Sequence, residues 1–347
     1  MTSSNFLSNT PVASDDIKDL CRDPEQLHRY LWKSGLLGDF SGVCQSCSEG
    51  NVSLNKDGDN FWWRCGKRSC RKKISLTKGS FFEGSKLDIK TILLLIYYFL
   101  YKAPYELVAN ELKIKSSHTI VDWFNFCREV CITILTQDNT KIGGQGHVVE
   151  IDESKFGKRK YNRGRRVDGC WVLGGIDRTT RQTFFQIVPD RTKETLLPIL
   201  LENIYPDSIV VSDCWRSYSS LGEHFDSHRS VNHSLNFVDP ADKSVHTNSI
   251  ESQWRVLKRS VLPFNGTSKD LYSSYFAWYC VSQKYLIDVP CKFKAFLELV
   301  KRAYRLDPAI VTPRTKSVAE KTKKKENTPP PLKKRIVIFD SFVNDSE

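Results

Sequence analysis

Val148-Val149-Glu150-Ile151-Asp152-Glu153 is an apolar strand that ends in acids, and Ile209-Val210-Val211-Ser212-Asp213 repeats the pattern further along the chain. A strand end holds a carboxylate rigidly at the edge of a sheet. Two such ends on neighbouring strands place two carboxylates around one cation. The surrounding pattern supports strands. His147–Ile151, Cys170–Ile176 and Thr183–Val188 are short runs rich in β-branched and apolar residues. Asp177–Arg181 reads as the turn joining the second run to the third, Thr192–Asn203 as a helix, Ser208–Val211 as a short strand and Ser249–Ser260 as a further helix. Two or three strands, a helix, a strand and then helices imply an α/β layer with a mixed sheet.

A third acid follows in His246-Thr247-Asn248-Ser249-Ile250-Glu251-Ser252-Gln253-Trp254-Arg255-Val256-Leu257-Lys258. Glu251 and Lys258 are two helical turns apart and share a face, which offers one metal ligand and, further along, a cation for phosphate. Mg²⁺ and Mn²⁺ prefer hard oxygen ligands such as these carboxylates. Two-metal phosphoryl transfer uses this arrangement: one ion activates water or a 3′-hydroxyl and the other stabilises the leaving oxygen. Any single Asp or Glu is more often a surface group. The weight lies in two strand-end acids followed by a helical one.

Upstream, Cys44-Gln-Ser-Cys47 is followed after seventeen residues by Cys65-Gly-Lys-Arg-Ser-Cys70. Two cysteine pairs flanking a short β-like stretch match a zinc ribbon, in which four thiolates close a tetrahedral Zn²⁺ site. The second pair has four intervening residues where two are usual. Arg64, Lys67, Arg68, Arg71, Lys72, Lys73 and Lys78 surround that pair in a stretch without an acid. Such a cluster suits phosphate contacts, the alternative being a solvated face. Ser154–Arg166 is similar, with Lys155, Lys158, Arg159, Lys160, Arg163, Arg165 and Arg166 and no acid, and reads as a hairpin or loop beside Asp152. Between the two lie three helical stretches: Leu87–Tyr101, Pro104–Leu112 and one capped by Ser116 or Ser117 that runs to about Leu135. Their order resembles a helix-turn-helix, although any three-helix bundle would look the same.

The chain has 347 residues, 40% of them hydrophobic, enough for two or three domains with real cores. A formal charge of +12 points to a polyanionic partner, nucleic acid being the commonest. Eleven unevenly spaced cysteines and a polar, acidic start argue for a reducing compartment rather than a disulfide framework. The longest apolar run, Ile92–Tyr101, is about half the length needed to span a bilayer. Domain by domain, residues 1–20 are expected to be a flexible lead, 21–85 an amphipathic helix with the ribbon, and 86–140 a helical DNA-binding segment. The catalytic α/β domain with its C-terminal helices is expected over 147–305. Residues 312–347 are expected to be a disordered basic tail, whose Lys321–Lys325 and Leu332–Arg335 clusters read as nuclear localisation or loose DNA contact.

Glu150-Ile151-Asp152-Glu153-Ser154-Lys155-Phe156, Val211-Ser212-Asp213-Cys214-Trp215, Val231-Asn232-His233-Ser234 and His246–Glu251 with Trp254 and Lys258 resemble the catalytic domain of Merlin-type transposases and their bacterial insertion-sequence relatives. Lys78–Ser85 and the ribbon resemble that family's N-terminal zinc domain. The resemblance spans roughly residues 25–290. It implies an RNase H-like core with Asp152, Asp213 and Glu251 as a D-D-E triad for two Mg²⁺ or Mn²⁺ ions. Lys258 would contact phosphate, and Asn248 would assist one turn before Glu251. His233 and His246 are read as supporting ligands, DNA contacts or structural histidines. The expected protein is a nuclear transposase, assembled as a homo-oligomer. It binds terminal inverted repeats, cuts at the element ends and joins the 3′-hydroxyls to target DNA. The rival readings are a catalytically silent DNA-binding descendant and a nuclease without joining activity.

Overall fold

The computed structural model describes residues 11–57, 60–157, 169–231, 240, 242–261 and 269–304. The tail at 312–347 lies outside the described residues, as does most of the second basic run, Lys158, Arg159, Lys160, Arg163, Arg165 and Arg166, and with it His233. The chain divides into two compact units, Met1–Val130 with Val289–Glu347, and Cys131–Asp288.

The first unit starts with α1 (Ser14–Leu20), which buries Ile17 and Leu20. This stretch was expected to belong to a flexible lead; two apolar residues three apart suffice to dock one short helix. In α2 (Pro24–Lys33) the Asp23 side chain caps the amides of Glu25 and Gln26, and Pro24 opens the first turn. The ribbon is an antiparallel sheet in the order β1 (Gly42–Val43), β2 (Asn51–Asp57), β3 (Asn60–Cys65) and β4 (Lys73–Ser75). Then come α3 (Ile89–Leu100), capped by Asp88 through the Thr91 amide, α4 (Tyr105–Leu112) and α5 (Ser117–Asp138), whose residues from Cys131 on belong to the second unit. The apolar run too short for a membrane is α3, buried on almost every side. Among the described residues no helix is long and apolar enough to cross a membrane. Helix α9 (Lys292–Ala303) belongs here and not to the catalytic domain as expected. Its Phe293 and Phe296 pack on Tyr97 and Phe99 of α3, with ring centroids 6.3 and 5.9 Å apart.

The second unit is built on β5 (Val148–Phe156), β6 (Cys170–Asp177), β7 (Thr183–Val188), β8 (Ile209–Asp213) and β9 (Ser227–Val231), in the spatial order β7-β6-β5-β8-β9. The first three strands are antiparallel; β8 and β9 run parallel to β5. Helix α6 (Lys193–Asn203) makes the crossover from β7 to β8. This mixed five-stranded order with helices on both faces is the RNase H-like arrangement. One face buries Val149, Ile151, Leu173 and Phe184 with Leu196 and Leu200 of α6. The other buries Phe156, Val172 and Ile176 with α7 (Asn248–Val261) and α8 (Lys269–Tyr285). Two differences from the sequence expectation stand out. Ser154–Phe156 continues β5 instead of opening a loop, because Phe156 is buried and pairs with Cys170. Strand β9 was not anticipated, since Ser-His-Arg-Ser-Val carries a single apolar residue and gains strand form only from pairing with β8.

Candidate active site and zinc ribbon

Strand register sets the acids. Val148, Val149 and Glu150 pair with Ile209, Val210 and Val211, so the same offset brings Asp152 level with Asp213. Asp152 also pairs with Gly174 on β6, Gly174 with Phe185 on β7, and Asp213 with Val231 on β9. One rung across the sheet therefore reads Phe185, Gly174, Asp152, Asp213, Val231. Adjacent strands are about 4.8 Å apart, which makes the two aspartates neighbours, Asp213 at the carboxyl end of β8 and Asp152 midway along β5, just beyond their parallel pairing.

Helix α7 lies along β5 with matched spacing. Glu150 Oε2 accepts from the Ile250 amide at 2.9 Å, Asp152 Oδ2 accepts from Trp254 Nε1 at 3.0 Å, and Ser154 Oγ accepts from Lys258 Nζ at 2.6 Å. Two residues of strand advance about 6.6 Å and four residues of helix about 6.0 Å, so alternate strand residues meet every fourth helix residue. Glu251 follows the first of these anchors in the opening turn of α7, on the exposed side.

Electrostatics tie the acids together. The Asp152 carboxyl is pushed up to about 6: burial raises it most, and the charges of Asp213 and Glu251 raise it further against the hydrogen bonds from Trp254 and the Glu153 amide. Glu153 goes up to about 8, through burial first and then Asp152 and Asp213, with Arg191 opposing. Its Oε1 is buried without a hydrogen-bond partner, and Arg191 Nη1 stands 3.8 Å from Oε2. Asp213 Oδ1 accepts from the Trp215 amide at 3.0 Å. The chemistry of the set fits a divalent cation: Asp152, Asp213 and Glu251 offer the hard carboxylate oxygens that Mg²⁺ and Mn²⁺ take. The acids stand further apart than the cysteines do. Among the described residues Cys44, Cys47, Cys65 and Cys70 are the one group of three or more His, Cys, Asp or Glu placed to hold a metal ion, their ligand atoms all within 4.8 Å of one another.

Several contributors were not visible as such in the sequence. Glu150 is fully buried and accepts from Arg178 Nε at 2.6 Å; Arg178 also donates to the carbonyls of Ser244 and His246. His246 Nδ1 lies 3.5 Å from Glu150 Oε1, so among its alternatives the histidine joins the network that fixes the turn before Glu251. Asn248 is exposed at the start of α7. Lys258, read as a free phosphate contact, is half-buried. Its ammonium lies over the Phe156 ring at 5.4 Å, and burial lowers its pKa while Asp152 partly offsets this. The Arg191 guanidinium lies 4.0 Å from the Trp171 ring and 4.4 Å from that of Trp215. Strand alternation is the signal that could have found Glu150, which shares the Asp152 face.

In the ribbon the sulfurs of Cys44 and Cys70 are 3.8 Å apart, as are those of Cys47 and Cys65. Tetrahedral Zn–S bonds of about 2.3 Å require S···S distances of about 3.8 Å. In the longer second loop the amides of Cys70 and Arg71 both donate to the Lys67 carbonyl, and Arg71 leaves the turn at φ 49°. Of the basic cluster, Arg68, Arg71, Lys72 and Lys73 are exposed, Lys73 lying 4.5 Å from the Trp62 ring. Lys67 instead pairs with Glu49, an acid from the preceding turn, and Arg64 is half-buried with its Nε unpartnered. In the second basic run, Lys155 is exposed on β5, its ammonium 5.5 Å from the Trp171 ring.

Residues 138–288 match the model of the ISXO2-like transposase domain. An uncharacterized transposase-like protein of Haemophilus influenzae is 39% identical over 89 residues, 26% of this chain and 70% of that protein. Among solved structures, the catalytic core domain of BIV integrase is 15% identical over 46% of this chain and 98% of its own, with a TM-score of 0.30. The HTLV-2 integrase catalytic core domain in complex with magnesium is 11% identical over 42% and 88%, with a TM-score of 0.28.

Proposed function

The chain belongs to the transposase family whose ISXO2-like domain it carries, and we propose that it is a DNA transposase that cuts at element ends and transfers the 3′-hydroxyls into target DNA. The observation that carries the proposal is geometric: strand register sets Asp152 beside Asp213, and the hydrogen bonds of α7 to Glu150 and Asp152 bring the turn that holds Glu251 to the same strand. Asp152 and Asp213 would hold both of two Mg²⁺ or Mn²⁺ ions, and Glu251 would complete one site. When bound, such ions supply Lewis-acid activation of the attacking oxygen and charge stabilisation at the leaving one. The residues themselves do the positioning. Glu150 and Arg178 anchor the turn that presents Glu251, and Lys258 brings an ammonium to the Asp152 face for a phosphate. The same proposal places the chain in the Merlin-type branch, in the nucleus and in a homo-oligomer, since two DNA ends are joined in one event. The ribbon, with a structural Zn²⁺, and α3 to α5 would bind the terminal inverted repeats.

Asp152→Asn tests it on terminal-repeat DNA. The expected outcome is loss of nicking and strand transfer by at least about a thousandfold with repeat binding retained, because one member of a catalytic unit is removed. Normal nicking by the variant would overturn the mechanism. A wild-type chain that binds without cutting would be a silent DNA-binding descendant, and one that cuts without joining would be a nuclease.

A further inference from the structure

Gly174 sits in the middle of a central strand, where a residue without a side chain weakens packing and marks a close approach. The approach is by Trp254. A Cβ on Gly174 would lie 2.6 Å from Trp254 Cη2 and 2.7 Å from Phe185 Cδ1. The indole is buried and flanked by Phe185 and Phe156, with ring centroids 5.1 and 6.1 Å away. Its single donor, Nε1–H, points at Asp152 Oδ2, while the Glu153 amide holds Oδ1 at 2.7 Å. Each carboxylate oxygen thus spends one acceptor site on the protein and keeps another. The plane of the carboxylate is fixed by donors at both ends.

Burial alone does not supply that hydrogen bond. The indole nitrogens of Trp62 and Trp63 are buried in the same chain without any partner. Gly174 is also the residue that pairs with Asp152 on the neighbouring strand. The space that the ring occupies is therefore opened on the rung that carries the acid. We infer that Gly174 and Trp254 form one positioning device for Asp152: the glycine makes room for the indole, and the indole N–H sets the carboxylate orientation that a divalent cation meets. The inference rests on the metal-site reading above and adds two positioning residues to it.

The experiment measures equilibrium Mn²⁺ binding to the zinc-loaded full chain, by electron paramagnetic resonance of the free ion, with no DNA present. Three variants are compared. Trp254→Phe removes the donor and keeps an aromatic ring. Replacing Trp254 by benzothienylalanine keeps the ring shape and exchanges N–H for sulfur, so folding is not confounded. Gly174→Ala keeps the donor and displaces it; Gly174 lies outside the left-handed region, so the alanine is tested on space alone. Each is expected to weaken Mn²⁺ binding about tenfold or more, the usual effect of losing a ligand's hydrogen-bond partner. The Gly174→Ala, Trp254→Phe double variant should be no weaker than the worse single, because both act through one hydrogen bond. Unchanged affinity with the isostere would overturn the inference, as would additive losses in the double variant. Asp152→Asn in the same titration separates this failure from a failure of the metal site: if it too binds Mn²⁺ normally, the site reading has failed. If it loses binding and the isostere does not, only the positioning role has.

Discussion

Asp152 and Glu153 are adjacent in sequence and, on a pleated strand, project to opposite faces, yet burial and shared neighbours raise both. The sign of the consequence follows from linkage. Their ordinary values are 3.8 and 4.5, and the folded values are about 6 and about 8. Between roughly pH 4 and 8 the folded, metal-free unit binds more protons than the unfolded chain, so these two groups make stability fall as pH rises through that window. Melting of the zinc-loaded chain without added Mg²⁺ should show the decline, and Mg²⁺ should flatten it; a slope indifferent to Mg²⁺ would count against cation binding at these acids. Asp177 behaves in the opposite sense. It was read as a turn residue and is instead buried at the end of β6. Burial pushes its carboxyl up, but His147, Thr180 and the amides of Thr179 and Thr180 outweigh burial and hold it below the usual value. Asp177→Asn should therefore cost about 1–3 kcal/mol in urea unfolding, whereas Asp207→Asn at an exposed turn should cost under about 0.5 kcal/mol.

At the scale of elements, the ribbon is a small sheet with few buried side chains of its own: Val52, Trp63, Cys44 and Cys65 with partly buried neighbours. So small a cluster is expected to need a bound metal for order. Mass analysis of the purified chain should give one zinc at this site. Chelation or Cys65→Ser should abolish the tertiary signal of Trp62 and Trp63, and an ordered ribbon without zinc would refute the assignment. Helix α7 shows the opposite economy. The helix itself was legible over Ser249–Ser260, but the sequence does not say which strand lies beneath. The matched advance of β5 and α7 decides that, and turns Trp254 and Lys258 inward while Glu251 stays at the rim.

For the whole molecule, the excess positive charge resides partly in exposed residues such as Arg68, Arg71, Lys72, Lys73 and Lys155. If about six such residues neutralise DNA phosphates, counter-ion release should lower affinity roughly 10³-fold between 50 and 200 mM salt. Filter binding across that range measures the slope; a nearly flat dependence would show that these cations do not meet the backbone. Lys67 should contribute little to it, because Glu49 already neutralises it.

The sequence by itself determined what short-range pattern can carry. Alternation and β-branching marked β5 to β8, with Asp152 in β5 and Asp213 at the end of β8; the shared face of Glu251 and Lys258 marked α7; and the cysteine spacing marked the ribbon. These signals are local, because a strand or helix declares its own period whatever it packs against. The tertiary structure decided every partnership across long separation. Trp254 reaches Asp152 over 102 residues and the Ile250 amide reaches Glu150 over 100, while Gly174 makes room for a ring that no neighbour in sequence supplies. Strand β9, almost without apolar residues, exists because β8 offers it a ladder. Hydrogen-bond partners and packing space are set by how the elements come together, and no periodicity in the chain encodes them one residue at a time.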